Sequence, residues 1–199
     1  TLRRQQSAQE REVSLAHDHK KQRPLSDRPR PYLNALGIAG ADGKILKQGR
    51  RKFRQINKYI ELISHQLQAR PLPEQAHIVD MGSGKGYLTF ALYDYLVNEC
   101  SLPVKVTGVE LRPELVDKCN AIARENNFDN LQFIAGDIHQ YQPEGGIDML
   151  IALHACDTAT DEAIARGLAA KADHIVVAPC CHKQVRKSMA PDEALQPML

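Results

Sequence analysis

The sequence lacks the features of membrane-spanning and secreted proteins. None of its apolar runs approaches the length of about 18 residues that a membrane-spanning helix needs. Residues 1–6 lack the apolar core of a secretory signal peptide. The five cysteines are an odd number in a pattern typical of a nucleotide-binding sheet, so reduced thiols are expected rather than a disulfide framework. These absences predict a cytoplasmic protein without a membrane partner.

No internal repeat or long low-complexity tract interrupts the 199 residues. The length corresponds to about one to one-and-a-half domains. A hydrophobic content of 43% is enough for a real core. The chain is therefore expected to fold as a globular unit, while its oligomeric state stays open.

Charge is distributed unevenly along the chain. Residues 1–70 hold 16 Lys and Arg against 6 Asp and Glu, and the rest holds 10 against 18, which gives net charges of +10 and −8. The change falls near the proline-containing residues 70–73 and predicts a basic, partly helical extension over 1–70 and a catalytic domain over 71–199. A basic block on an acidic core favours a polyanionic partner such as RNA, and the alternative is a solvated tail that keeps the protein soluble.

One helix is predicted within the basic block. Its apolar residues recur at three-and-four spacing, which favours packing of that stripe against the sheet. The stripe consists of Phe53, Ile56, Ile60, Ile63 and Leu67. Basic side chains lie on the first turns of this helix and are candidates for the wall of a substrate groove. They are Arg50, Arg51, Lys52, Arg54 and Lys58.

A glycine-rich turn over residues 78–88 is the most informative motif. An apolar run ends at Asp80, and glycines follow at positions 82, 84 and 86 before an amphipathic segment. This predicts strand, tight turn and helix, because glycine permits positive φ and lets a ligand approach the backbone. The helix start also presents unpaired N–H groups. The spacing differs from the dinucleotide and P-loop patterns, and Asp80 is placed to meet a cationic ligand group.

Five apolar segments alternate with helical patterns, which predicts an α/β fold with a doubly wound, mostly parallel sheet. The segments are 78–80, 104–109, 131–135, 147–153 and 174–178. Ligands bind at the carboxyl ends of such strands. Glu110 ends the second segment about 20 residues beyond the glycine turn, where it can accept both hydrogen bonds of a ribose diol.

The pattern Asp-Met-Gly-Ser-Gly-Lys-Gly at 80–86 resembles motif I of class I S-adenosylmethionine-dependent methyltransferases. The resemblance implies a Rossmann-like fold and S-adenosylmethionine as cofactor. It implies that Asp80 lies near the methionine amino group, Glu110 on the ribose and Asp137 near the adenine amino group, with Ile138 against the ring. The other expected cofactor-binding residues are Gly82, Ser83, Gly84, Gly86, Leu111 and Leu153.

Three motifs, at 80–88, 153–161 and 179–183, together resemble one branch of these enzymes. The branch includes bacterial methyltransferases, the methyltransferase-like 25 group, the glutathione S-transferase C-terminal-domain-containing protein and a tRNA 2′-O-methyltransferase. The predicted activity is methyl transfer, with RNA as the favoured acceptor. The alternatives are methylation of a protein or small molecule, or a non-catalytic cofactor-binding module.

Reactive side chains follow the fourth and fifth predicted strands, which are neighbours in sheets of this order. They are His154, Cys156 and Asp157 after the fourth, and Cys180 and Cys181 after the fifth. We favour His154 or Asp157 as a general base or positioning group, with Cys180 and Cys181 shaping the pocket. A cysteine that attacks a pyrimidine ring, as in RNA cytosine-5 methyltransferases, is a second interpretation. A zinc site of Cys156, Cys180, Cys181 and a histidine is a third. In a fourth interpretation, Cys180 and Cys181 are small buried groups that only pack.

Sheets of this superfamily usually end with a helix and two further strands. Residues 184–199 are too few for these elements. We therefore expect a sheet without its last strands, an exposed edge, and a natural chain that continues past Leu199.

Overall fold

The computed structural model carries a five-stranded sheet with helices on both faces. It describes residue 25 and residues 29–137, 141, 143, 145–153 and 158–178.

All four strand pairings in the sheet are parallel, and the strand order is β3-β2-β1-β4-β5. The strands are β1 (His77–Met81), β2 (Lys105–Glu110), β3 (Leu131–Ala135), β4 (Met149–Ala152) and β5 (His174–Val177). After β3 the chain returns to the other side of β1, so strand order reverses between β1 and β4. The predicted doubly wound parallel sheet is confirmed.

Five α-helices accompany these strands within the described part of the chain. They are α1 (Pro31–Ala35), α2 (Arg50–Ala69), α3 (Tyr87–Asp94), α4 (Pro113–Glu125) and α5 (Thr158–Ala169). A π-helical turn at Tyr95–Glu99 continues α3. Pro113 begins α4, where its missing N–H removes no hydrogen bond. None of the helices in these described ranges is both long and apolar enough to span a bilayer.

Alternate residues of β1 face two separate hydrophobic clusters. Ile78 belongs to the larger cluster, which also contains side chains of α1 to α4, and Val79 and Met81 belong to a smaller one with Ala163 of α5. This alternation follows from the period of two along a strand. The sheet is therefore covered on both faces, which explains why its central strands are almost wholly apolar.

The described part of the basic block is built into the larger cluster. Ile56, Ile60 and Ile63 of α2 are buried, and Phe53 and Leu67 pack against the same core at its margin. The predicted packing of this stripe is confirmed. Burial of such side chains contributes about 1.5–3 kcal/mol each, so α2 is held by its apolar face.

The segment before α2 is tied to α3 by aromatic contacts and a buried ion pair. The Tyr32 ring stacks on Phe90 with 5.9 Å between centroids. The Arg30 guanidinium forms an ion pair with Asp94, and its Nη2 lies 2.6 Å from Glu99 Oε1. The side chains of Arg30 and Asp94 are 2% and 4% exposed, so each charge helps to offset the cost of burying the other.

Candidate cofactor site

The turn between β1 and α3 is held in place by the end of β2. The φ angles of Gly82, Gly84 and Gly86 are 77°, 59° and 73°, which confirms the predicted left-handed turn. The amides of Gly82 and Ser83 both donate to the Val109 carbonyl, at 2.9 and 3.0 Å. These bonds fix the turn at the carboxyl end of the sheet.

Gly84 and Gly86 lack a side chain for different steric reasons. A Cβ on Gly86 would lie 3.0 Å from the Phe90 ring and 3.1 Å from the Phe133 ring, so this position is closely packed. A Cβ on Gly84 would meet no atom closer than 4.0 Å. Gly84 therefore leaves its backbone open to a ligand.

Glu110 lies at the end of β2, as predicted, and its carboxylate is fixed by three hydrogen bonds. The Gly84 amide donates to Oε2 at 2.8 Å, while the Arg112 amide and Nε donate to Oε1 at 3.1 and 2.7 Å. Burial of Glu110 opposes ionisation, but the hydrogen bonds from Arg112 and Gly84 hold its pKa below the ordinary value. Glu110 is thus an ionised acceptor at neutral pH.

Asp80 has a different environment. It is 6% exposed at the end of β1, and the Thr89 hydroxyl donates to its Oδ2 at 2.5 Å. Burial raises the pKa of Asp80 to about 6, although the bond from Thr89 lowers it. An ionised Asp80 is therefore costly in the protein alone, and a cation bound beside it would stabilise the charge.

These groups line a cleft of about 370 Å³ at the carboxyl ends of β1, β2 and β4. It lies where the strand order reverses, which is the usual ligand position in open α/β sheets. Its volume is within the range of about 300–1,000 Å³ that is typical of small-molecule sites. The lining residues are Asp80, Gly82, Ser83, Gly84, Lys85, Tyr87, Leu88, Glu110, Arg112 and Leu153.

Six of the ten expected cofactor-binding residues line this one cleft: Asp80, Gly82, Ser83, Gly84, Glu110 and Leu153. The remaining four are not among its described lining residues. Gly86 shapes the turn without lining the cleft. Leu111 is 70% exposed. Asp137 follows β3 at the same edge of the sheet, and neither it nor Leu111 is among the described lining residues. Ile138 lies outside the described residues.

The expected catalytic residues all lie outside the described residues: His154, Cys156, Asp157, Cys180 and Cys181. Leu153, which precedes His154 in sequence, lines the cleft. Ala178 lies shortly before Cys180 in sequence, and its amide donates to the Ala152 carbonyl at 3.3 Å. Where the structure describes side chains, no group of three His, Cys, Asp or Glu could hold a metal ion. The roles of the five residues stay predictions.

Sequence reasoning did not assign four residues that line the cleft: Lys85, Tyr87, Leu88 and Arg112. Arg112 carried a signal in its position two residues after Glu110, within reach of that carboxylate. No local sequence pattern indicated Tyr87, because its role in the cleft wall depends on a contact with a residue of another helix. Lys52 Nζ of α2 donates to the Tyr87 hydroxyl at 2.7 Å and lies 4.1 Å from the centre of the ring. The first turn of α2 therefore contacts the wall of the cleft.

A family model described as a methyltransferase domain matches residues 51–188. The glutathione S-transferase C-terminal domain-containing protein of Homo sapiens is 28% identical over 132 residues, which are 66% of this chain and 19% of that protein. Its Mus musculus counterpart is 29% identical over the same length. The chain therefore spans about a fifth of the length of these curated relatives.

Solved structures with a similar arrangement include two methyltransferases. A SAM-dependent methyltransferase from Geobacter sulfurreducens, in complex with S-adenosyl-L-homocysteine, is 20% identical. The match has a TM-score of 0.42 and covers 55% of this chain and 43% of that one. Coclaurine N-methyltransferase, bound to N-methylheliamine and SAH, is 16% identical with a TM-score of 0.41, and 63% of this chain matches 35% of that one.

Proposed function

The chain belongs to the family of proteins that carry this methyltransferase domain. From that premise, we propose that it is an S-adenosylmethionine-dependent methyltransferase whose acceptor is RNA. The observation that carries the proposal is the contact of Lys52 with Tyr87, which brings the basic end of α2 to the wall of the cofactor cleft. The proposal places the reacting nucleotide beside that wall.

The residues of the cleft fit the cofactor. Glu110 is an ionised acceptor suited to ribose hydroxyls, and the buried carboxylate of Asp80 suits an ammonium group. The open backbone at Gly84 leaves room for a closely bound ligand. When bound, the cofactor supplies an electrophilic methyl group on its sulfonium. The protein then has to align the acceptor and, where the acceptor atom carries a proton, remove that proton.

The charge around α2 supports a polyanionic acceptor. Lys47 lies just before this helix, and Arg50, Arg51 and Arg54 lie near its start. All four are exposed, and the first turn contains no acidic residue. Cations at a helix N-terminus oppose the helix dipole by about 0.3–1 kcal/mol each. Their concentration there does not serve the stability of α2, and it suits contacts to phosphates.

The predicted roles of His154 and Asp157 complete the proposed reaction. A histidine with an ordinary pKa near about 6.5 can accept a proton from the acceptor at neutral pH, and Asp157 can orient it. Leu153, directly before this segment in sequence, lines the cleft, which supports these proposed roles. We also place the protein in the branch that includes the methyltransferase-like 25 group and the tRNA 2′-O-methyltransferase. The matches to the two mammalian proteins support this placement.

The acceptor can be identified with tritiated S-adenosylmethionine and the RNA, protein and small-molecule fractions of one cell extract. We expect label in the RNA fraction, with loss of the labelled product after ribonuclease treatment. A Glu110→Ala variant provides the background. Label that enters the protein or small-molecule fraction instead would overturn the proposed acceptor.

The catalytic roles can be tested on the same substrate. We expect His154→Ala or Asp157→Ala to lower turnover by about 10²-fold, the usual scale of lost acid–base catalysis, with cofactor affinity retained. Serine variants of Cys156, Cys180 and Cys181 should have milder effects. If one cysteine variant alone abolishes turnover and another accumulates a covalent protein–RNA adduct, nucleophilic catalysis by a cysteine replaces this mechanism.

A further inference from the structure

A second cleft of about 90 Å³ adjoins the cofactor cleft and shares Lys85 and Tyr87 with it. Three lysines from separate elements surround it: Lys52 from α2, Lys85 from the glycine turn and Lys118 from α4. Apolar side chains of α4, among them Leu115, and Leu36 after α1 also line it. We refer to this feature as the three-lysine cleft.

Its charge is uncompensated among the described residues. No acidic residue is part of the described lining, and Lys85 and Lys118 are exposed without an ion pair to any residue that the structure describes. Lys52 is directed toward the cleft wall by its bond to Tyr87. Three like charges around one small cleft repel one another, and a bound anion would relieve that repulsion.

We propose that the three-lysine cleft binds a backbone phosphate of the acceptor RNA. This inference rests on the proposed function. Lysine is a frequent phosphate ligand that acts as a point charge. The volume of the cleft suits one small anionic group better than a base or a nucleoside. Because phosphate contacts position a nucleic acid without reading its sequence, the cleft would fix the strand and leave base recognition to other residues.

Lys85 and Tyr87, which line both clefts, determine how far the bound phosphate lies from the cofactor. Tyr87 and Lys85 separate the two clefts, so a phosphate held by Lys118 lies directly beside the cofactor. A neighbouring nucleotide can then reach the cofactor cleft without a long span of RNA. The cofactor's own carboxylate is a poorer match, since Lys118 lies outside the lining of the cofactor cleft.

Lys118→Gln and Lys118→Glu test the proposal, with Lys105→Gln and Lys105→Glu as matched controls. Lys105 is also exposed, but it begins β2 and therefore lies at the amino ends of the strands, away from both clefts. Binding of a fluorescent single-stranded RNA and of unfractionated cellular RNA is measured by anisotropy over a series of salt concentrations, with S-adenosylhomocysteine saturating. Calorimetry gives the affinity for S-adenosylhomocysteine. Glutamine is a good helix former, and thermal melting verifies that each variant is folded.

We expect Lys118→Gln to weaken RNA binding by about tenfold and Lys118→Glu to weaken it further. The slope of log affinity against log salt should fall by about 0.7 for the lost single-strand contact, while cofactor affinity stays unchanged. Equal RNA binding by the Lys118 and Lys105 variants, in a parent that methylates RNA, would overturn the phosphate site alone. Weaker cofactor binding with unchanged RNA binding would assign the cleft to the cofactor. A parent that neither binds nor methylates RNA would overturn both proposals.

Discussion

Replacement of Asp80 by asparagine separates the stability of the fold from its function. Asparagine has nearly the same shape, and its Oδ1 can still accept the hydrogen bond from Thr89. The substitution therefore removes the charge of the buried carboxyl group and little else.

The size of the effect follows from the pKa of Asp80. Burial raises this pKa from 3.8 to about 6. The folded state therefore binds the proton more tightly than the unfolded state. The contribution of this group to the free energy of unfolding is fully present below about pH 4 and is lost as the pH rises through about 6. The loss is about 3 kcal/mol. Asparagine avoids this loss, so Asp80→Asn should be more stable than the parent by up to about 3 kcal/mol at pH 8 and equally stable at pH 4.

Urea unfolding of the cofactor-free protein at both pH values measures this difference. An Asp117→Asn variant is a charge-matched control, because Asp117 is exposed on α4 and its replacement should change little. Calorimetry at pH 8 should show that Asp80→Asn binds S-adenosylmethionine at least about tenfold more weakly, since a charged hydrogen bond contributes about 1.5–3 kcal/mol. In the parent, the affinity should decline as the pH falls through about 6, because protonated Asp80 no longer attracts the ammonium group.

Two outcomes would refute this reasoning. One is an Asp80→Asn variant that is no more stable than the parent at pH 8. The other is a stability difference that is the same at pH 4 and pH 8. Either result would mean that ionisation of Asp80 carries no cost in the folded protein.

Three further predictions concern the cleft and the N-terminal contacts. Glu110→Ala should weaken cofactor binding at least about tenfold by calorimetry, and unchanged affinity would place the ribose elsewhere. Arg30→Ala should lower the free energy of unfolding by about 3–5 kcal/mol, because it removes the buried positive charge beside the Asp94 carboxylate. Arg30→Met with Asp94→Leu should recover most of the loss, and no recovery would contradict the ion-pair explanation. Gly84→Ala and Gly37→Ala should each cost about 1–2 kcal/mol of stability from positive φ, but only Gly84→Ala should weaken cofactor binding, so equal cofactor affinities would refute a close approach at Gly84.

Local spacing was sufficient to predict the sheet, the glycine turn and the position of Glu110. These features depend on residues close in sequence, where apolar periodicity and glycine placement act directly. The boundaries were less accurate. The apolar pattern predicts the fourth strand over 147–153, whereas the strand spans Met149–Ala152. The two differ because buried apolar residues such as Ile147 continue beyond the strand pairing.

Contacts between distant parts of the chain could not be predicted in this way. Arg30 and Asp94 are 64 residues apart, and nothing in their local sequence indicates a shared buried site. The same holds for Lys52 and Tyr87, which meet only after α2 and α3 pack together. The exposure of Leu111 could not be predicted from local sequence either, since it depends on the path of the chain between β2 and α4.

The position of β1 at the centre of the sheet has a consequence for synthesis on the ribosome. β1 can pair with β2 early, so the glycine turn and Glu110 can assemble while β4 is still untranslated. The opposite edge of β1 waits for β4, since Val79 pairs with Leu150, about 70 residues later. Until then the nascent chain presents an apolar, unpaired strand edge and only one wall of the cofactor cleft. Protection of that edge by a chaperone would matter most during this interval.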